Sequence, residues 1–544
     1  MKRRLPYTLG MTPRRLRAIL LVPLLAATTL AQFGGAHIED PAAEARPLDG
    51  IGEVTFRVES TSAEARAFFD QGIALLHGAW HDEAERAFLQ VAKLDTKCAA
   101  AWWGRCLANP GNPSRATWFA WEAYRRREQA PERERAYIDA WARYYGATTE
   151  PKTVVVDAES GRRAAIPRLL TASARARLEG DLLAIVTSNS KDLEARALLL
   201  RQRWLWGLDR ASSWSSTRAH LDAIFAQAPD HPARRYEVLL SNHLPPAERP
   251  DGTRCRRAAP ALPAMWYADG LALLARGDDT AAHAFDAASR IDHAHMKRTG
   301  ALPFEQPWYV PNLIARTRDH IEHGRRTAAL ALARALQTLP RHPRYPNSSL
   351  FMGALLESEA ARMPEDGAAT TSKAAPDAIT SLGPATWVPQ LAPNFHLDRG
   401  QGGKVALTNY TSKKQPLILV HYLGAGCLHC VEQLADLAPK ASRFRRARLP
   451  ILPIGTDDLQ GARAFIQLSM ESGQTGHLPF PILCDPLFDS FHAYGAWSGF
   501  TKEALHGTYM IDSEGRVRWR DISIEPFMET EFLLEECKRL LAIR

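Results

Sequence analysis

Two cysteines, Cys427 and Cys430 in the run Cys-Leu-His-Cys, have the spacing in this chain best suited to chemistry, because the second thiol falls about one helical turn after the first. Such a pair cycles between dithiol and disulfide: one thiolate attacks a client sulfur and the other thiol resolves the mixed disulfide. Cys427 is expected to attack and Cys430 to resolve. His429 is the intervening residue able to tune the pair, since a cationic imidazole stabilises a thiolate and makes the disulfide more oxidising. Metal binding and haem attachment are the competing uses of this spacing. Zinc asks for a second ligand pair, and Cys98, Cys106, Cys255, Cys484 and Cys537 form no second C-x-x-C. Haem attachment asks for histidine where Val431 stands.

The surrounding residues supply the elements that position the pair. Residues 417–423 are continuously apolar, as in a strand covered on both faces, and Gly424 and Gly426 permit a tight turn. Val431, Leu434, Leu437 and Ala438 then recur at helical spacing. Strand, turn and helix put Cys427 at a helix N-terminus, where unpaired N–H groups and the helix dipole favour a thiolate. Short strands are expected at 394–398, 405–407, 451–456 and 480–483, with a hairpin of 507–512 and 516–520 and a closing helix over 531–542. Alternating strands and helices predict an α/β sheet.

The runs APNFHLDRGQGGKVALTNYTSKKQPLILVHYLGAGCLHC, FPILCDP and LHGTYMIDSEGRVRW, in that order, resemble a redoxin domain of the alkyl hydroperoxide reductase/thiol-specific antioxidant group. The resemblance covers about residues 389–544 and implies a thioredoxin-like fold. Peroxiredoxins carry proline and Thr/Ser seven and three residues before the peroxidatic cysteine; here those places hold Val420 and Gly424. Thioredoxins carry a proline before the strand facing the cysteines, and the matching place, before Thr508, is Gly507.

Upstream, residues 61–362 are rich in Ala, Leu and Arg at helical spacing and hold a degenerate repeat. In the first unit Phe68, Gly72, Leu75, Ala84 and Phe88 fall at tetratricopeptide offsets, with Thr96 where the final proline usually stands. Gly270, Ala281, Phe285 and Ala288 repeat the theme, and Ala328, Leu332, Ala335 and Pro340 supply a third unit. Residues 111–263 read as helical but irregular. These units resemble tetratricopeptide repeats, which implies a curved helical array with a concave face for protein or peptide partners; the alternative is a spacer or dimerisation arm. Trp102, Trp103, Trp118, Trp121, Trp141, Trp204 and Trp206 read as interhelical core, and His293 and His295 as packing residues. The whole chain resembles bacterial exported proteins that fuse such repeats to a redoxin domain.

Residues 1–31 combine Lys2, Arg3, Arg4, Arg14, Arg15 and Arg17 with an apolar run and small residues, the form of a signal peptide or short membrane anchor. Residues 32–60 are expected to be an extended lead-in and 363–388, rich in Ala, Thr, Ser, Gly and Pro, a linker. Six of the eight net positive charges lie in residues 1–31, so nucleic-acid binding gains no support. The main expectation is an exported thiol–disulfide oxidoreductase, periplasmic or extracellular, that needs no tightly bound cofactor. One alternative is a thiol peroxidase, with Arg516, Arg518 or Arg520 supplying positive charge. Another is a binding scaffold whose redoxin domain is structural or holds a metal through Cys427, Cys430 and a histidine such as His421.

Overall fold

The computed structural model describes residues 41–542 except 55, 158–161, 168–169, 208–213, 346–347, 367–376 and 472–477. The expected signal peptide lies outside the described residues. The chain is a helical region followed by an α/β domain of thioredoxin-like fold.

Helix pairs make up the first region. In the Ala63–His77 helix, capped by the Ser62 hydroxyl accepting the Ala65 N–H at 3.1 Å, Gly72 sits on the ring of Phe88 from the His81–Leu94 helix. A Cβ on Gly72 would lie 2.5 Å from that ring, and Gly104 of the Ala99–Leu107 helix abuts the same ring from the other side. One aromatic thus seats three helices because two of them lack a side chain at the contact. The device recurs where Gly270 of the Pro263–Arg276 helix meets Phe285 of the Ala281–Thr299 helix, again at 2.5 Å. Residues 111–263 are not wholly helical. Thr153–Asp157 (β1) pairs antiparallel with Arg162–Ala165 (β2), because three consecutive valines, Val154 to Val156, favour extended backbone.

Trp103 and Trp141 are fully buried, with ring centroids 5.7 Å apart, as core tryptophans should be. Phe56 of the lead-in enters the same core, 5.0 Å from Phe69 and 5.3 Å from Trp103. His295 packs on Trp80 at 4.4 Å, and His293 Nε2 accepts the Val388 N–H at 3.3 Å, so both are packing residues.

The α/β domain holds His396–Arg399 (β3), Lys404–Ala406 (β4), Leu417–Tyr422 (β5), Ile451–Gly455 (β6) and Leu483–Cys484 (β7). Trp497–Ser498 (β8) and Glu503–Ala504 (β9) form a separate ribbon, and His506–Ile511 (β10) and Val517–Ser523 (β11) complete the strands. The sheet runs β11-β10-β5-β6-β7-β3-β4; β5, β6 and β7 are parallel and the other pairings antiparallel. Every residue of β5 is buried. Ile418, Val420 and Tyr422 join the core under the Leu428–Arg446 helix, whereas Leu417 and Leu419 join a second core with Phe491, Tyr494 and Tyr509. Two covered faces explain the unbroken apolar run.

The two regions are docked by buried polar contacts. Trp519 of β11 donates to the Arg341 carbonyl at 2.7 Å and stacks on His342, whose Nε2 lies 3.1 Å from Asp521. Glu536 of the Thr530–Ala542 helix accepts the Arg341 N–H and Nε–H, each at 2.7 Å. In the connecting segment the Gly383 carbonyl accepts from Arg290, and Trp387 N–H donates to the Tyr309 hydroxyl. The lead-in also reaches the α/β domain: the Ala42 carbonyl accepts the Gly499 N–H at 2.7 Å, and Glu44 pairs with Lys502 at 2.7 Å.

Candidate redox site

The turn after β5 is built for glycine. Gly424 has φ +91°, and a Cβ there would lie 2.8 Å from Asp457 Oδ1 and 2.9 Å from Thr456 Oγ1. Asp457 holds the turn by accepting the Ala425 N–H at 2.9 Å. Cys427 then serves as N-cap of the Leu428–Arg446 helix, its extended backbone (φ −96°, ψ 109°) aiming Sγ at the Cys430 N–H, 3.3 Å away. A first-turn N–H left without a helical partner therefore faces the sulfur, which favours its thiolate.

Cys427 and Cys430 are joined as a disulfide with Cα atoms 5.3 Å apart. Cys430 is buried, and its Sγ accepts the Leu423 N–H at 3.2 Å. Cys427 is only half-buried, so it is the sulfur that a client can approach.

A residue not singled out in the sequence completes the site. His506, the first residue of β10 and 3% exposed, places Nε2 3.0 Å from Cys430 Sγ and 3.6 Å from Cys427 Sγ. Its Nδ1 lies 2.9 Å from the Ile524 carbonyl. A carbonyl only accepts, so Nδ1 carries a hydrogen, and in the neutral form of the ring the Nε2 lone pair faces the sulfurs. Gly507 pairs with His421 across the β10–β5 register, and its neighbours 506 and 508 point to the opposite face, toward the cysteine helix. Thr508 confirms the alternation by accepting from Gln433 of that helix at 3.3 Å, while Gly507 lies against the Tyr509 ring on the other face. Alternation counted from the proline-equivalent position was the signal that would have found His506.

His429 occupies the first turn of the cysteine helix, half-buried, with Nδ1 2.9 Å from Glu525 Oε2. His421 is not a partner of the cysteines. It points into the second core, its Nε2 2.7 Å from the Ser490 hydroxyl and its ring 4.6 Å from Phe491, where burial pushes its pKa down to about 3. Arg516, Arg518 and Arg520 pair with Glu514, Asp512 and Glu305. Arg520 stands opposite Tyr509, three residues and so roughly 10 Å along the strand from His506.

The remaining five cysteines are free and buried. Burial pushes the Cys484 thiol up to about 11 and Cys98 up to about 12, and it raises Cys106, Cys255 and Cys537 further. Protonated and enclosed, they are poor nucleophiles.

Among the described residues, two clusters bring three metal-ligating atoms within 4.8 Å of one another: Cys427, Cys430 and His506, and His77, Glu194 and His231. In the second, Glu194 lies 3.0 Å from His77 Nε2 and 2.8 Å from His231 Nε2. Ala233 N–H donates to His231 Nδ1 at 3.0 Å, so Nε2 of that ring carries its hydrogen and donates to the carboxylate. That cluster presents an N–H where a metal needs a lone pair.

Residues 388–520 match the AhpC/TSA family. The matched redoxin segment includes both cysteines and His506. The chain is similar to the chloroplastic 2-Cys peroxiredoxin BAS1 of Spinacia oleracea, with 24% identity over 120 residues, 22% of this chain and 45% of the relative. It is also similar to a putative peroxiredoxin in the rubredoxin operon of Clostridium pasteurianum, 25% identical over 133 residues, 24% of this chain and 74% of the relative. The chain spans about half the length of the first of these relatives. Similar solved structures include peroxidoxin BcpB from Mycobacterium tuberculosis (20% identity, 29% of this chain, 97% of that chain, TM-score 0.24). Enterococcus faecalis AhpC is another (16% identity, 28% and 93%, TM-score 0.26).

Proposed function

We propose that the protein is an exported thiol–disulfide oxidoreductase whose redoxin domain exchanges electrons with protein clients through Cys427 and Cys430. The observation that carries this reading is the asymmetry of the pair: a half-buried sulfur at a helix N-cap, and a buried sulfur 3.0 Å from His506 Nε2. In the reducing direction, the Cys427 thiolate attacks one sulfur of a client disulfide and expels the other as a thiolate, leaving a mixed disulfide. His506 Nε2 takes the Cys430 proton, and the new thiolate attacks Cys427 Sγ and releases the second client sulfur. The client gains two electrons; its two thiolates take up the proton held by His506 and one from water, and the enzyme disulfide forms. The oxidising direction is the same path reversed.

The helical region acts in this scheme as a tetratricopeptide-type array that recruits the client. Support comes from the repeated glycine–phenylalanine seat at Gly72/Phe88 and Gly270/Phe285. Export is supported by the basic and apolar pattern of residues 1–31. No helix among the described residues is long and apolar enough to cross a membrane.

The relatives named as peroxiredoxins favour a second reading, a thiol peroxidase. The site weighs against it, because the place where peroxiredoxins carry Thr/Ser is Gly424, which has no hydroxyl and where positive φ and the contact with Asp457 strain any side chain.

The test pairs two variants. Cys427→Ser is expected to abolish exchange with a model disulfide, and Cys430→Ser to accumulate mixed disulfides visible on a non-reducing gel. Exchange retained in Cys427→Ser would refute the oxidoreductase reading. Rapid thiol loss to hydroperoxide, absent in Cys427→Ser, would transfer the assignment to the peroxidase.

A further inference from the structure

We propose that the reduced site is also a metal site, in which Cys427, Cys430 and His506 bind one thiophilic d10 cation, Zn2+ or Cu+. The inference shares with the redox reading only the requirement that the disulfide can be opened.

Four observations converge on it. The two sulfurs have the C-x-x-C spacing of a zinc knuckle at the start of a helix. The third ligand comes from a different element, the first residue of β10, so the three donors surround a point instead of lining one helix face. The ring is already in the tautomer that a metal requires: Nδ1–H is committed to the Ile524 carbonyl, and Nε2 faces both sulfurs. A backbone carbonyl on the far nitrogen is the usual outer partner of a metal-bound histidine, where it fixes the ring and raises its basicity. The distances also fit. Tetrahedral zinc with Zn–S near 2.3 Å and Zn–N near 2.0–2.1 Å sets S···N at roughly 3.6 Å. The Cys427–His506 separation is already 3.6 Å, and the Cys430–His506 separation of 3.0 Å has to open by only about half an ångström when the sulfurs part.

Charge and access agree. Two thiolates and a neutral imidazole carry two negative charges, which a divalent cation neutralises, and the helix N-terminus helps to offset the one left over by a monovalent cation. Half-exposed Cys427 leaves a route for entry and room for a fourth ligand. Binding displaces two thiol protons and needs no electron transfer, whereas the disulfide has no thiolate to offer. Metal loading and disulfide formation are therefore mutually exclusive, and the redox state of the pair sets metal affinity.

The experiment uses the full chain, reduced with a phosphine and freed of metal. Zn2+ is titrated against a chromophoric zinc chelator, Cu+ against a chromophoric Cu+ chelator, and Co2+ serves as the spectroscopic probe. The expected result is one cation per chain, thiolate-to-cobalt charge-transfer bands, and protection of both site thiols from alkylation. Air-oxidised protein should bind none. His506→Asn, whose amide N–H can still reach the Ile524 carbonyl, should loosen binding by at least on the order of tenfold, the loss that even an outer-shell partner brings. Tight Zn2+ with weak Cu+ assigns the site to zinc, and the reverse to copper. The proposal falls if reduced protein with both thiols titratable binds none of the three ions, if the oxidised form binds equally, or if His506→Asn binds as tightly as wild type. Failure of the reduced pair to re-form the disulfide would instead remove the redox reading and leave the metal site standing on the titration.

Discussion

Replacing His506 with asparagine should make the Cys427–Cys430 disulfide harder to reduce. The asparagine amide can take over the Nδ1 bond to the Ile524 carbonyl, now 2.9 Å long, but its shorter side chain no longer reaches the sulfurs that Nε2 faces at 3.0 and 3.6 Å. In the reduced protein Nε2 either accepts the buried Cys430 proton or, once charged, donates to its thiolate. A hydrogen bond to a charged group is worth about 1.5–3 kcal/mol. The disulfide sulfurs are weak acceptors, so the loss falls almost wholly on the reduced form. At about 30 mV per 1.4 kcal/mol for a two-electron couple, the potential should become more negative by roughly 30–65 mV. The lower site thiol pKa should rise by about 1–2 units in parallel. The assay equilibrates wild type and variant with glutathione buffers containing a chelator, traps thiols by alkylation and counts them by mass. A potential within about 10 mV of wild type, under 0.5 kcal/mol, or a shift to more positive values would refute the pairing of His506 with the reduced sulfurs.

Gly424→Ala should destabilise the α/β domain by about 1–3 kcal/mol, since its φ of +91° is strained for any side chain and Asp457 Oδ1 waits 2.8 Å from the new Cβ; thermal unfolding reads it. Gly72→Ala gains about 1 kcal/mol of helix propensity but drives a methyl into the Phe88 ring, and overpacking at about 1–3 kcal/mol should win, lowering the melting temperature. Burial raises the Glu536 carboxyl, but Arg539 and Arg341 outweigh it and hold the group below its ordinary value. Its contribution is thus complete above about pH 4.5 and is lost as pH falls through the lower folded value. Limited proteolysis from about pH 7 down to about pH 3 should show the two regions loosening, and Glu536→Gln should loosen them at neutral pH by about 3 kcal/mol.

The cysteine helix and β5 were legible because their signals are local. An apolar run covered on both faces, a glycine turn and a dithiol at a helix start lie within about thirty residues. The sheet strands were legible within two or three residues for the same reason. His506 was hidden because it lies 76 residues from Cys430, and only the pairing of Gly507 with His421 decides which face it meets. His421 misled for the complementary reason: its sequence proximity to Cys427 is cancelled by strand alternation. The β1–β2 hairpin escaped because the helical context of residues 111–263 outweighed three valines. The docking of the two regions left no local trace, since the composition of residues 363–388 reads as loose while Trp387 is held by Tyr309.

The clasp between the lead-in and the α/β domain imposes an order on synthesis. Glu44 and Lys502 stand 458 residues apart in the chain, and Ala42 waits for Gly499. A growing polypeptide can complete the Phe56 side of the lead-in as soon as Phe69 and Trp103 emerge. It can fasten the outer end only after nearly all the remaining residues have been made, so an N-terminal flap stays unlatched through most of translation.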